Sequence, residues 1–107
     1  MDLENFAAST TEFLGYIMDY YRKRQMILPT EAQALMFCAT ELGEAFELLL
    51  QKEANWVRNN PQNKKRYNPE RFGEECGDIV MMALVAGMQA GVNPLLLLFG
   101  KMERKTE

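Results

Sequence analysis

The sequence contains no histidine, and this absence excludes several kinds of site at once. Serine and cysteine nucleophiles that need a histidine base are excluded, as are most zinc sites, because imidazole is a common zinc ligand. A di-iron carboxylate bundle is excluded for the same reason, since its Glu-x-x-His motifs require histidine. The chemistry of this chain must therefore come from other side chains.

Cysteine and long apolar runs are also scarce. Cys38 and Cys76 form no CxxC pair and indicate buried thiols in a reducing compartment. The longest apolar runs cover residues 79–88 and 95–99, far short of the roughly 20 residues that span a bilayer. The first residues are acidic and polar and lack the cationic start of a secretory signal. The sequence therefore predicts a cytoplasmic protein with no membrane partner.

The balance of charge and apolar residues indicates one globular domain. The net charge is only −3, and no strongly basic face is visible, so a nucleic acid polymer is not an expected partner. With 107 residues, 48% of them hydrophobic, the chain has enough apolar side chains for a core but little surplus. A single domain covering residues 1–107 is predicted.

Start signals along the chain predict four helices and no strand. The first covers about residues 3–24 and carries an apolar stripe of Phe6, Phe13, Ile17, Tyr20 and Tyr21. Thr30 and Gln33 form a capping box that opens a second helix, which continues to about residue 54. Asn-Pro pairs at 68–69 and 93–94 open the third and fourth helices, and the Asn-, Pro- and Lys-rich residues 55–68 indicate a loop. The predicted fold class is all-α, a bundle-like chain of four helices.

Two carboxylate pairs lie one helical turn apart on neighbouring helices. Glu41 and Glu44 are spaced i, i+3 on the second helix, and Glu75 and Asp78 have the same spacing on the third. In an antiparallel hairpin, residues at the same level have a constant sum of residue numbers. Glu41 with Asp78 gives the same sum as Glu44 with Glu75, and the midpoint lies between residues 59 and 60, inside the predicted loop. The hairpin would therefore bring both pairs to one level.

The flanking residues indicate that these carboxylates are partly buried. One stripe of the second helix is predicted to face the core, and it consists of Leu35, Ala39, Leu42, Phe46 and Leu49. Phe37 and Leu48 lie on the side that carries Glu44, while Met82 and Val85 continue the line of Asp78. A single ExxE pair on a helix is usually a solvated face, but four carboxylates among apolar residues repel one another and lose hydration. A bound cation resolves this, and ligands that are all oxygen favour Mg²⁺, with Mn²⁺ as an alternative.

The segments TELGEAFE, EECGDIV and GKMERK resemble the MazG-like, all-α nucleoside triphosphate pyrophosphohydrolases. That family carries an EExxE segment, a spacer and an ExxD segment on adjacent helices. The resemblance covers roughly residues 28–105, with Thr40 in place of the first acid of the doubled pair, a long spacer, and Lys105 where an asparagine is common. It implies hydrolysis of a (deoxy)nucleoside triphosphate to the monophosphate and pyrophosphate.

The resemblance also suggests roles for particular residues. Glu41, Glu44, Glu75 and Asp78 would hold Mg²⁺, and Glu41 would polarise the water that attacks the α-phosphorus. Basic residues of the fourth helix and an aromatic residue could bind the substrate, and these are Lys101, Arg104, Lys105 and either Trp56 or Tyr67. Lys64, Lys65 and Arg66 form a second candidate phosphate cluster, although basic triads of this kind often serve only solubility.

Two other functions remain open from the sequence. A phosphoribosyl-ATP pyrophosphohydrolase would use similar acidic helices, and a helical interaction module would use no metal at all. The apolar surface of the second and third helices also exceeds what one layer of four helices can cover, so a homodimer or homotetramer is predicted.

Overall fold

A computed structural model of the protein describes residues 2–54 and 67–106, and these residues form four helices and no strand. The predicted all-α class is thus confirmed. The helices are α1 (Leu3–Lys23), α2 (Glu31–Ala54), α3 (Pro69–Gln89) and α4 (Pro94–Lys105).

Each predicted helix start is present as a cap. The Thr30 hydroxyl accepts a hydrogen bond from the Gln33 backbone N–H at 3.2 Å, and the Gln33 side chain accepts one from the Thr30 N–H at 3.0 Å. Asn68 caps α3 and Asn93 caps α4 through their side-chain oxygens, each followed by proline at the first helical position. The predicted helix starts are therefore confirmed, and the predicted loop falls mostly on residues outside the described ranges.

Helices α2 and α3 pair as an antiparallel hairpin, the most extensive helix contact in the described chain. Near one end, the Gln89 amide donates to the Pro29 carbonyl at 2.6 Å. Midway, the Cys38 thiol donates to the Ile79 carbonyl at 3.5 Å. Near the other end, the Lys52 ammonium lies 5.2 Å from the centre of the Tyr67 ring. These contacts confirm the predicted register over the length of the hairpin.

The core lies where α1 crosses the hairpin. It comprises Leu14, Ile17, Tyr21, Ala34, Met82, Leu84 and Val85. Thr10, Leu14, Ile17 and Tyr21 form the buried face of α1, whereas Phe13 and Tyr20 from the predicted stripe are exposed. The apolar spacing thus predicted the helix α1 correctly, but it assigned Phe13 and Tyr20 wrongly to the buried face.

The predicted core stripe of α2 is wrong for the single chain. Leu35 and Phe46 are each 58% exposed and Leu42 is 48% exposed. The side of α2 that meets α3 instead carries smaller or polar residues among its buried ones, which are Ala34, Ala45, Leu48 and Gln51. The physical reason is that α2 is apolar on two sides, and only one of them can face α3.

Helix α4 turns away from α3 and packs on the first half of α1. The two helices α3 and α4 meet at an angle of 98°. The Asn93 amide donates to the Thr10 hydroxyl at 3.1 Å, and the rings of Phe6 and Phe99 are 5.1 Å apart. Gly87 permits this bend, because a Cβ atom there would overlap the ring of Pro94.

No single helix of the described chain has both the length and the apolar character needed to cross a membrane. Only α3 and α4 taken together reach that length and composition, and they are sharply bent at their junction.

Candidate metal centre

The α2/α3 hairpin brings carboxylates from both helices to one place. Oxygens of Glu41, Glu75 and Asp78 can all lie within 4.8 Å of one another. Glu41 and Glu75 are half-buried between α2 and α3, and Asp78 is exposed at the edge of this helix contact. The structure therefore brings together three of the four predicted metal ligands, as the level pairing of the helices requires.

Glu44, the fourth predicted ligand, is joined to the group through Glu75. A hydrogen bond with Glu41 is the largest cause that raises the pKa of Glu75, from 4.5 to about 7. Burial of the Glu75 carboxyl and a second hydrogen bond, with Glu44, raise that pKa further, as does the negative charge of both neighbours. In the metal-free protein near neutral pH, a proton on Glu75 thus offsets part of the repulsion within the group.

Apolar side chains flank the carboxylates along the contact between α2 and α3. Leu48 lies one turn beyond Glu44 and is only 1% exposed, and Met82 lies one turn beyond Asp78 and is buried. The apolar flanks expected for a partly buried acidic group are therefore present. A group of this kind differs from a solvated ExxE face, because its charges are held near low-dielectric walls.

A hollow of about 580 Å³ begins one helical turn from the acidic group. Phe37 of α2, one turn before Glu41, and Met82 of α3 form the wall nearest to the carboxylates. Tyr20 of α1 and Gln33 at the start of α2 line other parts of it. This hollow was not predicted from the sequence, although the apolar Phe37 on the carboxylate side of α2 was a signal for it.

The predicted basic substrate ligands lie apart from the carboxylates within one chain. Lys101, Arg104 and Lys105 are exposed on α4. Among the described residues, α4 contacts α1 and α3 but not α2, which carries Glu41. A role for these three residues in binding phosphate stays a prediction.

The predicted aromatic and loop contacts are only partly described. Trp56 and the cluster Lys64, Lys65 and Arg66 lie outside the described residues. Tyr67 is half-buried, with the Lys52 ammonium over its ring and the Phe72 ring 6.4 Å away. Since Lys52 is already near its ring, Tyr67 is a weaker candidate for stacking on a nucleobase than Phe37.

The cysteines have no catalytic arrangement. Burial raises the pKa of the Cys38 thiol, which keeps it protonated and weakly nucleophilic at neutral pH. Cys76 is exposed, contrary to the prediction of two buried thiols.

Comparisons of the chain with models of known protein families, with curated proteins and with solved structures gave no match. The function must therefore be argued from the acidic group and its surroundings.

Proposed function

We propose that the protein is a Mg²⁺-dependent hydrolase that converts nucleoside triphosphates to the monophosphate and pyrophosphate. The observation that supports this most strongly is the convergence of Glu41, Glu75 and Asp78 from two facing helices. The resemblance of their motifs to MazG-like enzymes supports the reaction class.

The acidic group fits a hard divalent cation. Adjacent oxygen ligands of an octahedral Mg²⁺ are about 2.9 Å apart and opposite ones about 4 Å, so oxygens within 4.8 Å of one another would have to approach one another by up to about 2 Å. All the donors are carboxylate oxygens, which suit Mg²⁺ or Mn²⁺ better than zinc or copper. The raised pKa of Glu75 reflects repulsion from Glu41 and Glu44, and a cation bound there would relieve that repulsion.

The residues divide into holding and proton-transfer roles. Glu44, Glu75 and Asp78 would hold the cation together with Glu41; when bound, the cation neutralises phosphate charge and lowers the pKa of a coordinated water. Glu41 would accept a proton from the attacking water, because its carboxylate lies within the group and also bonds to Glu75. The oxygen of that water forms a bond to the α-phosphorus, and the bond to the bridging oxygen breaks as pyrophosphate leaves.

The hollow beside the acidic group would take the nucleoside. It lies one turn from Glu41 and Asp78, about the separation between the phosphates and the base of a bound nucleotide. Phe37 offers an exposed ring face for stacking, and the Gln33 amide could reach a polar edge of the base or sugar.

A pyrophosphate-release assay across the ribo- and deoxyribonucleoside triphosphates tests this proposal. We expect release that requires Mg²⁺ and is lost in Asp78→Asn, whereas Glu74→Gln, an exposed neighbour of the group, keeps activity. If no triphosphate releases pyrophosphate with either Mg²⁺ or Mn²⁺, the proposal is contradicted and a helical interaction module is favoured.

One observation supports a second substrate, phosphoribosyl-ATP. Lys23 and Arg24 line a smaller hollow of about 250 Å³ that shares Tyr20 with the large one. Phosphoribosyl-ATP carries a further phosphate attached through its base, and these two cations could bind it. Adding phosphoribosyl-ATP to the same assay separates the two substrates, and loss of its turnover in Lys23→Gln with other triphosphates unaffected would support the second.

A further inference from the structure

An apolar groove of about 390 Å³ lies between α1 and α3. We call it the α1/α3 groove, and the described residues that line it are Phe13, Tyr16, Ile17, Tyr20, Gly77, Val80, Met81 and Leu84. None of these residues is charged. The groove shares Tyr20 and Met81 with the hollow proposed for the nucleoside, but it contains neither Phe37 nor Gln33. The proposed reaction therefore gives this groove no role.

The α1/α3 groove has a closed floor and open walls. Ile17 and Leu84 are each 4% exposed and form the floor, whereas the walls include Phe13, 49% exposed, and Val80, 52% exposed. Gly77 keeps the α3 side open, because a Cβ atom there would meet nothing within 4 Å. Sites for small molecules have volumes of about 300–1,000 Å³ and mostly apolar linings. The groove therefore has the size and lining of a site for a small apolar molecule.

One end of the α1/α3 groove leads to two cations. Tyr16 and Tyr20 line the groove and also line the hollow of about 250 Å³ that contains Lys23 and Arg24. The Arg24 guanidinium lies 5.3 Å from the centre of the Tyr20 ring, so this cation is held beside the boundary between the two hollows. A molecule that fills the groove can therefore place a polar end next to positive charge.

The third charged residue of that smaller hollow does not cancel this positive charge. Asp19 also lines the hollow, but its carboxylate accepts a hydrogen bond from the Arg22 guanidinium at 2.8 Å. The charge of Asp19 is thus offset by Arg22, and Lys23 and Arg24 leave a net positive charge at this end of the groove. The apolar groove and its cationic end together complement an amphipathic anion.

We infer that the α1/α3 groove binds a free, single-chain carboxylic acid of the medium-chain fatty acid class. Its apolar tail lies over Ile17 and Leu84, and its carboxylate meets Lys23 and Arg24. Phe13 and Lys23 are both on α1, and at 1.5 Å per residue they are about 15 Å apart, a length that suits a medium acyl chain. A nucleotide fits less well, because its polar groups would face apolar walls. This inference does not depend on the enzymatic proposal.

Calorimetric titration of the metal-free protein with decanoate, kept below the concentration at which it forms micelles, tests the site. We expect saturable binding of one decanoate per chain. Octanoate should bind about tenfold more weakly, because it lacks two methylenes that each contribute up to about fourfold to the affinity when buried. No detectable binding at decanoate concentrations up to about 1 mM would overturn the inference.

Three variants locate the bound molecule. Gly77→Leu places a side chain in the groove, and it should keep the fold because leucine favours a helix more than glycine does. Its affinity for decanoate should fall at least about tenfold. Gly73→Leu is the matched control, since it makes the same change on α3 outside the groove, where a Cβ atom also meets nothing within 4 Å; its affinity should stay within about twofold. Lys23→Gln should weaken decanoate about threefold and leave the binding of decanol unchanged.

Other occupants of the groove give different results. Equal affinity of the native protein and Gly77→Leu for decanoate would overturn the inference by placing the acid elsewhere. Binding to vesicles of anionic phospholipid without binding of monomeric decanoate would overturn it in favour of a membrane surface. If the native protein does not bind decanoate and Gly77→Leu has a lower mass by light scattering, the inference is overturned and the groove is a contact between copies of the chain.

Discussion

Replacing Glu75 with glutamine should make the metal-free protein more stable at neutral and alkaline pH. The substitution keeps the size and shape of the side chain and removes only its ability to carry a negative charge. Since the folded protein surrounds Glu75 with Glu41 and Glu44, that charge is disfavoured in the native state. Changing a partly buried polar group usually lowers the free energy of unfolding. An increase in Glu75→Gln would therefore point specifically to repulsion by the neighbouring carboxylates.

The pKa of Glu75 sets the size and the pH range of the effect. It rises from 4.5 in the unfolded chain to about 7 in the folded protein, so the native state binds this proton more tightly. The resulting stabilisation is complete below pH 4.5 and is lost as pH rises through about 7. At about 1.4 kcal/mol per pH unit, the full loss is about 3 kcal/mol. Partial exposure of Glu75 reduces it, and we expect about 1–2 kcal/mol.

Thermal unfolding with a chelator at pH 4.5 and pH 8 measures this difference. At pH 8, Glu75→Gln should melt roughly 5–10 °C above the native protein, and at pH 4.5 the two should melt together. Glu74→Gln, an exposed neighbour, should follow the native protein at both values. Millimolar Mg²⁺ at pH 8 should then raise the midpoint of the native protein and have little effect on Glu75→Gln.

Equal or lower stability of Glu75→Gln than of the native protein, at pH 8 without metal, would refute this prediction. In that case the neighbouring carboxylates do not destabilise the charge of Glu75, and the electrostatic argument for a cation is lost. The same midpoint for the native protein with and without Mg²⁺ would argue against the metal itself.

Three further results are expected. Glu44→Gln and Asp78→Asn should each abolish pyrophosphate release while far-UV circular dichroism shows an intact fold, and near-normal turnover by both would remove the proposed site. Hydrolysis in heavy-oxygen water should label the monophosphate, as mass spectrometry can show; diphosphate and orthophosphate as products would indicate attack at the γ-phosphorus. Phe37→Ala should raise KM for triphosphates at least about tenfold with a smaller change in kcat, and an unchanged KM would place the base elsewhere than the hollow.

The features predicted well from the sequence are those set by local chemistry or by the geometry of a hairpin. The capping box of Thr30 and Gln33 involves residues three apart, so its hydrogen bonds follow from the sequence alone. The approach of Glu41 to Asp78 follows from the register of two antiparallel helices, because both partners lie on consecutive elements. Neither result requires knowledge of where α1 or α4 packs.

The features that were missed depend on contacts between distant segments. The stripe of α2 expected to face the core is largely exposed, because α2 is apolar on two sides and periodicity does not distinguish a buried apolar stripe from an exposed one. The hollow beside Phe37 was missed because its other walls come from Tyr20 and from the connection between α1 and α2. Their positions depend on how α1 packs against the hairpin, and nothing in the sequence predicts which residues of α1 and the hairpin meet.

The tight approach of Gly87 to Pro94 limits which residues these two positions can carry at the same time. Since any side chain at residue 87 would overlap the proline ring, the two positions constrain each other across the bend between α3 and α4. Among relatives they are expected to covary: glycine is retained wherever proline opens the last helix seven positions later, and larger residues are tolerated only where that proline is lost. Together with the two acidic pairs, this linked glycine and proline form a pattern by which remote relatives can be recognised when most surface residues have changed.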